Sequence, residues 1–498
     1  MKYVVNSAQM KSCDQGIIKH YQVPSLVLME RAALAVVEEM KARIPSDASV
    51  LIVCGSGNNG GDGLAIGRLL FLDGYPVDIV FAGNEASASE ETKAQLSILG
   101  KYEIPIQKDI LNRSYDVIVD ALFGIGLCRN IEGRYAELIN TMNAMSGLKI
   151  AVDISSGIHG DYGHILGCAF MADLTVTFAF SKVGHLLYPG AAYTGELIIK
   201  QIGIDAHGFL GKLPCVYTHD SKDLHLIPKR VSTSNKGTYG KVLVIGGSKN
   251  MAGAPCFTAK AAYRMGAGLV RVLTHESNRV ILQTNVLEAL LTTYSDVIEN
   301  DYKKILDAIA WATVIVIGPG LGMDSTAKEL VEILLEHASV PCVLDADALN
   351  LVAKYHIDLS KAKVPIAITP HMGEMARLTS EPIANIKENP IRIALEYSIK
   401  HKVITVLKDA RTITALPSGE VYINTSGNSG MSTGGSGDVL AGVIAGLFVQ
   451  GCDFELAAHL GVYIHGLSGD YAIKQLGEHS LMASDLLDGI HHVLKEGI

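Results

Sequence analysis

Short apolar runs alternate with amphipathic stretches along almost the whole chain, and this rhythm constrains the fold more than any other feature. A run of about four to eight apolar residues bounded by glycine or acidic residues reads as a strand buried on both faces. An amphipathic stretch between two such runs is the crossover of a βαβ unit, so the strands lie parallel with helices on both faces of the sheet. The fold class expected is α/β. In the first half the runs are 49–55, 76–83, 115–124, 149–157 and 173–180, with helices at 61–72, 87–99 and 133–145. A longer helix precedes them, with Ser25 placed to cap it. Residues 205–240 break the rhythm with Gly, Pro, Lys, His and Ser and no helical or strand period. The runs restart at 241–247, 269–274, 313–320, 341–348, 365–370 and 403–408, and a pair of apolar helices fills 438–475. A boundary near 215 thus separates two domains, 1–214 and 218–498. The length of 498 residues suits two large α/β domains, since one domain usually takes about 100–200.

Charge excludes some partners. Lys and Arg number 42 against 51 Asp and Glu, a net charge of −9. Neither a nucleic acid nor an anionic membrane is expected as a partner. The eight cysteines form no CxxC pair, so no metal knuckle or redox motif is supported. The start, MKYVVNSAQMKSCD, has no apolar core, and a signal peptide is not expected. The uncharged run VLAGVIAGLFVQGC falls short of the roughly 20 residues of a membrane span and reads as a buried helix. A cytoplasmic protein with reduced thiols is expected. Trp311, the one tryptophan, is expected in the core.

The first strand runs into Gly55-Ser56-Gly57-Asn58-Asn59-Gly60-Gly61-Asp62-Gly63 and then a helix. Gly55, Gly57 and Gly60 fit the GxGxxG fingerprint. Asp62, however, sets a carboxylate in the first helical turn, where a pyrophosphate wants the positive helix end to itself. Asn58 and Asn59 add carboxamides able to bind sugar hydroxyls, an amide or a cation. The loop reads as a polar ligand site on a Rossmann-like scaffold; the plainer reading is a glycine turn with Asp62 as a cap. Asp120 ends YDVIVD and Asp153 ends KIAVD. Either alone reads as a loop cap. Ligands of open α/β sheets bind outside the carboxyl ends of strands, so both aspartates and the Asn-rich loop can share one crevice.

The segments GSGNNGGDG, DALFGIG (120–126), DISSG (153–157) and FAFSKVG (178–184) resemble the epimerase domain of the NAD(P)H-hydrate repair family over roughly residues 1–210. The resemblance implies a Rossmann-like domain that binds the hydrated dinucleotide through Asn58, Asn59, Gly60, Gly61 and Asp62. Further contacts implied are Gly124, Ile125, Gly126, Leu127, Cys128, Arg129 and Asn130, together with Asp153. It also implies a potassium ion on Asn59, Asp120 and Ser156, oxygen donors of the kind a hard cation requires. The family's segment has Pro where this chain has Ser155, while Asp153 and Ser156 keep their spacing. Asp153 is the acid–base candidate, with Lys182 next.

In the second half, TSGNSGMSTGGSGD (425–438) leads into an apolar helix. Backbone N–H groups of a glycine loop at a helix start form an anion hole. Asp438 beside it can take a proton from a hydroxyl that attacks a phosphoryl group, or can simply cap the helix. This GxGD arrangement resembles the ribokinase-like superfamily. SNKGTYGKVLVIGGS, AGAPCFTAKAAYRMGAGLVRV, GPGLG, VLDADALN, TPHMGEMARL and LKDART follow in order, and resemble the NAD(P)H-hydrate dehydratase domain over roughly 218–498. The resemblance implies that Ala254, Gly322, His371 and Asp438 contact the hydrated cofactor. Lys408, Asp409, Ala410, Arg411, Thr412 and Gly437 would hold ADP or ATP with Mg2+. Plainer readings make His371 a loop histidine, Lys408 a solvated lysine, and Asp345 and Asp347 helix caps instead of groups that position a magnesium-bound phosphate. A homo-oligomer is also implied.

This family chemistry suits the residues. Hydroxide leaves carbon 6 of a hydrated dihydronicotinamide poorly, whereas a phosphate ester leaves as the ring nitrogen pushes electrons, so a kinase-like site becomes a dehydratase. Hydration on either face makes two epimers, and an epimerase supplies the one the dehydratase accepts. The rival expectation is a ribokinase-like hydroxyl kinase fused to a non-catalytic Rossmann-like binding module.

Overall fold

The computed structural model describes residues 1–497. Two compact units emerge, one of Tyr3–Pro214 and one running from Cys215 onward with Met1–Lys2. In the first unit a parallel sheet has the strand order Ile106–Gln107, Val77–Phe81, Val50–Cys54, Val117–Ala121, Leu148–Val152, Leu174–Phe178, Glu196–Lys200. The order reverses direction between Val50–Cys54 and Val117–Ala121. A crevice opens beyond their carboxyl ends, the usual ligand position in open α/β sheets. Every residue of these two strands is buried, and each buried aliphatic side chain contributes roughly 1.5–3 kcal/mol. Helix Asn58–Leu72 follows the first of them and lies close on the sheet. A Cβ on Gly63 would stand 2.5 Å from the Ala121 Cβ, so only glycine permits that approach.

In the second unit the order is Leu290–Tyr294, Leu269–His275, Lys241–Ile245, Val314–Ile317, Cys342–Leu344, Ile366–Ile368, Ile404–Leu407, Ile413–Ala415, Val421–Ile423, Val216–Thr218. The pairs are parallel except the two that Ile413–Ala415 makes, which are antiparallel. Most of the uncharged run lies in helix Ser436–Val449, packed against Gly253–Arg264. A Cβ on Gly442 would meet the Thr258 carbonyl at 2.2 Å. No helix among the described residues is long and apolar enough to cross a membrane.

The folds are the Rossmann-like and ribokinase-like arrangements expected, with local corrections. Ser25 does not cap its helix. Pro24 stands at the N-cap, and the Ser25 hydroxyl donates to Glu91 at 2.7 Å. Helix Asn58–Leu72 begins three residues before the expected start, so Asp62 falls in its second turn. The segment 205–240 is not without structure: it holds strand Val216–Thr218 and the 3₁₀ turn Ser221–Leu226, too short to show a period. A third helix, Ala483–Gly497, follows the expected apolar pair. Trp311 is half-buried, not core. It ends helix Tyr302–Trp311, and the Arg271 guanidinium lies 4.4 Å from its ring centre, an amphipathic ring covering a cation.

Candidate functional site

A cavity of ≈ 730 Å³ lies beyond the carboxyl ends of the first sheet. The loops after Val50–Cys54 and Val117–Ala121 meet there: a Cβ on Gly55 would sit 2.0 Å from the Leu122 carbonyl oxygen. Asn58, Asn59, Asp62, Gly124, Ile125, Gly126, Leu127, Arg129, Asp153 and Lys182 line the wall. Gly60, Gly61, Cys128 and Asn130 do not. Gly60 is packed on the Gly55 carbonyl and Gly61 on Met29, where their missing side chains make room.

Asp153 is held hard in place. Its backbone sits at φ +64°, a left-handed conformation costing about 1–3 kcal/mol for a residue with a side chain. The Lys182 ammonium, itself buried, donates to Asp153 Oδ1 at 2.6 Å and to the Thr177 hydroxyl at 2.8 Å. Thr177 in turn donates to Asp153 Oδ1 at 2.9 Å. The Lys182 N–H donates to His185 Nδ1 at 3.1 Å, so Nε2 carries the proton it donates to the Asp153 carbonyl at 2.9 Å. Burial alone would raise the Asp153 carboxyl, but Lys182 outweighs it and holds it below the usual range. Burial and Lys182 together press His185 down to about 3, so the ring is neutral. Asp62 accepts no hydrogen bond from the described residues. Burial, reinforced by the charges of Asp153 and Asp14, lifts it well above the usual range. The site therefore holds one aspartate carboxyl low and a second high, a separation of the kind acid–base pairs use.

Beneath the wall, Asp120 is fully buried and accepts from the Ser156 N–H and hydroxyl, both at 2.7 Å. Asn59 Nδ2 donates to the Phe123 carbonyl at 3.0 Å, and Asn59 Oδ1 is buried with no partner among the described residues. Ser155 is buried and donates to the Tyr193 carbonyl at 2.8 Å, a bond a proline there could not make.

The second unit carries its own constellation. A cavity of ≈ 380 Å³ is lined by His371, Lys408, Asp409, Ala410, Thr412 and Gly437 among others. Arg411 lies outside it, donating to the Thr425 carbonyl at 2.8 Å. Lys408 is not solvated. It pairs with buried Asp345 at 2.8 Å, and Asp345 also accepts from Thr369 at 2.6 Å. Burial opposes the Lys408 charge, yet Asp345 and Glu374 overcome it and raise the ammonium above its ordinary value.

Neither Asp345 nor Asp347 caps a helix. Ala346, at φ +50°, stands at the N-cap of Asp347–Lys354 with no side-chain bond. Asp347 accepts from the Gly322 N–H at 2.8 Å. A Cβ on neighbouring Gly320 would lie 3.3 Å from that of Ala254, so Ala254 and the 318–322 loop adjoin.

Asp438 does not cap either: Gly435 is the N-cap, at φ +98°, and no side chain serves it. Burial, then the charge of Asp345, pushes the Asp438 carboxyl up to about 7, against the pull of Lys408. His371 caps helix Met372–Thr379 in a reciprocal box with Glu374. Burial pushes Glu374 to about 7.

Sequence reasoning missed Asp14, which lines the first cavity, and Thr177, His185 and Glu374. For Glu374 the three-residue spacing from a cap was a readable signal; for the others a single polar residue in a short segment gives none.

Residues 242–492 match the family model described as NAD(P)H-hydrate dehydratase. Residues 25–184 match the model described as YjeF-related protein N-terminus. The bifunctional NAD(P)H-hydrate repair enzyme Nnr of Moorella thermoacetica is 38% identical, over 99% of this chain and 97% of that protein. Its counterpart in Escherichia coli K12 is 34% identical over 94% and 89%. Among solved structures, the ADP/ATP-dependent NAD(P)H-hydrate dehydratase of Bacillus subtilis, co-crystallized with ATP/Mg2+, is 31% identical. It covers 56% of this chain and 98% of its own, with a TM-score of 0.51.

Proposed function

Because the chain belongs to the family of bifunctional NAD(P)H-hydrate repair enzymes, we propose that it restores hydrated NADH and NADPH in two steps, one in each unit. The N-terminal unit interconverts the R and S hydrates at C6. The C-terminal unit dehydrates the S hydrate with ADP, giving NAD(P)H, AMP and phosphate. The observation that carries the reading is Asp438, held near neutrality at a helix start beside the Lys408–Asp345 pair.

Asp438 takes the proton of the C6 hydroxyl as its oxygen attacks the terminal phosphorus of ADP. Lys408 steadies the negative charge of the transferring group, and the glycine loop 434–437 at the helix start offers backbone N–H groups to it. The ring nitrogen lone pair then expels phosphate from C6, and loss of a C5 proton restores the C5=C6 bond.

Asp345 and Asp347 carry hard oxygen donors that fit Mg2+ on the nucleotide, and a bound Mg2+ would neutralise phosphate charge. Asn59, Asp120 and Ser156 are the residues that would hold K+. The unpartnered buried Oδ1 of Asn59 supports that fit, since such an atom costs stability unless something binds it. A cytoplasmic location accords with the eight free cysteines. The family resemblance also carries a homo-oligomer with it.

The test is incubation of the full chain with mixed hydrate epimers and ADP or ATP. Reduced-nicotinamide absorbance is expected to return together with free phosphate, and with ADP preferred. A stable phosphoester without recovered absorbance would establish the hydroxyl-kinase reading instead. Activity with ATP and none with ADP would overturn the donor assignment. Because Asp438 must be ionised, the dehydration rate is expected to rise with pH through about 7 and then level off. A rate that is flat from pH 6 to 8 would exclude Asp438 as the base.

A further inference from the structure

We infer that Asp14 is a second proton-transfer residue of the N-terminal site, working on the face of the dihydronicotinamide opposite the one served by Asp153. The inference rests on the epimerase reading above. Asp14 belongs to helix Ser7–Gln15, outside the glycine motif and outside the sheet, and reaches the same cavity wall as Asp62, Asp153 and Lys182. Its Oδ1 is buried and has no hydrogen-bond partner among the described residues.

The helix does not need this carboxylate. Asn6 and Gln9 cap its start in a reciprocal box, and at its end the Gly16 N–H bonds the Ser12 and Cys13 carbonyls. A buried carboxylate with no donor costs stability, and such groups persist where they have a role. Burial, with the charge of Asp153 added and against the pull of Lys182, lifts Asp14 to about 6. The other ionisable groups around it are Asp62 on helix Asn58–Leu72, and Cys13 and Lys11 on its own helix. A carboxyl in that range gives and takes protons near neutral pH.

The chemistry asks for two such groups. To invert C6, the C6–O bond breaks on one face while the N1 lone pair forms N1=C6, and the departing oxygen takes a proton and leaves as water. Water then adds to the other face: C6–O forms, the N1=C6 electrons return to N1, and the incoming water gives up a proton. Proton traffic thus occurs on both faces of one carbon. In one direction Asp14 supplies the proton to the departing hydroxyl and Asp153 receives that of the attacking water. In the other direction the roles exchange, and solvent resets the pair.

The experiment follows one purified epimer toward the equilibrium mixture with the full chain, without nucleotide so that dehydration does not run. Asp14→Asn is expected to slow epimerisation about 10²–10⁴-fold and to remove the limb of the pH–rate profile near 6. It should leave dehydration of the S hydrate with ADP unchanged. Its thermal midpoint should be equal or higher, because no native bond is lost. Asp14→Glu, which keeps the carboxyl, should recover part of the rate. An Asp14→Asn enzyme within threefold of wild type that keeps the limb near 6 overturns the inference and leaves the epimerase reading standing. So does a slow variant whose thermal midpoint has dropped and which Asp14→Glu does not rescue, since that is a structural role. A wild-type chain that does not speed equilibration at all sinks the epimerase reading itself.

Discussion

Asp438→Ala is expected to abolish nucleotide-dependent dehydration, by about 10²–10⁴-fold, while epimerisation continues. The base has no substitute close by. Asp345 is engaged by Lys408 and Thr369, and Asp347 by the Gly322 N–H. Steady-state rates of absorbance recovery and of epimer interconversion on the same preparation read both halves. Dehydration near the wild-type rate would remove Asp438 from the mechanism. The same substitution has a stability signature. A carboxyl raised to about 7 in the folded state favours folding below its unfolded value of about 3.9. That contribution is lost as pH rises through about 7. Asp438→Ala should therefore gain in thermal midpoint over wild type between about pH 4 and about 7, with a constant advantage above.

The second large effect concerns how much substrate is consumed. Given both epimers and nucleotide, wild type should consume all of it in one fast phase. Asp153→Ala should convert only the epimer the dehydratase accepts, with the remainder declining at the uncatalysed rate. The amplitude of the fast phase counts substrate and does not depend on enzyme concentration. The variant also leaves the Lys182 ammonium buried without its carboxylate. Breaking a buried pair from one side costs about 3–5 kcal/mol, so Asp153→Asn, which keeps the shape and a hydrogen-bond acceptor, is the companion. Rapid clearance of both epimers by both variants would pass the acid–base role to Lys182. Loss of dehydration as well would mean that the two halves are functionally coupled.

Much of this protein was determined by its sequence alone. Strands such as Val50–Cys54 and Val314–Ile317 are buried on both faces, so their residues are uniformly apolar and legible without a partner. The glycine motifs are legible for a related reason. Where a Cβ would stand 2.0 Å from the Leu122 carbonyl or 2.2 Å from that of Thr258, no other residue fits, so backbone contact leaves a mark at single positions. Ile106–Gln107 and Val421–Ile423, of two and three residues and set in no longer apolar run, lack length for a period and were invisible.

Only the tertiary structure decided what each polar side chain does. Asp345 and Lys408 stand 63 residues apart, and Asp153 and Lys182 stand 29 apart. Neither pairing has a local pattern, because strand order, not spacing, brings them together. A caps-or-catalysis question such as that of Asp438 or Asp347 turns on one backbone dihedral and one donor distance. Asp14 carries no motif at all. Its burial without a donor exists only once helix Ser7–Gln15 is laid against the cavity, because the cost of removing a carboxylate from water is set by what surrounds it in three dimensions and not by its neighbours along the chain.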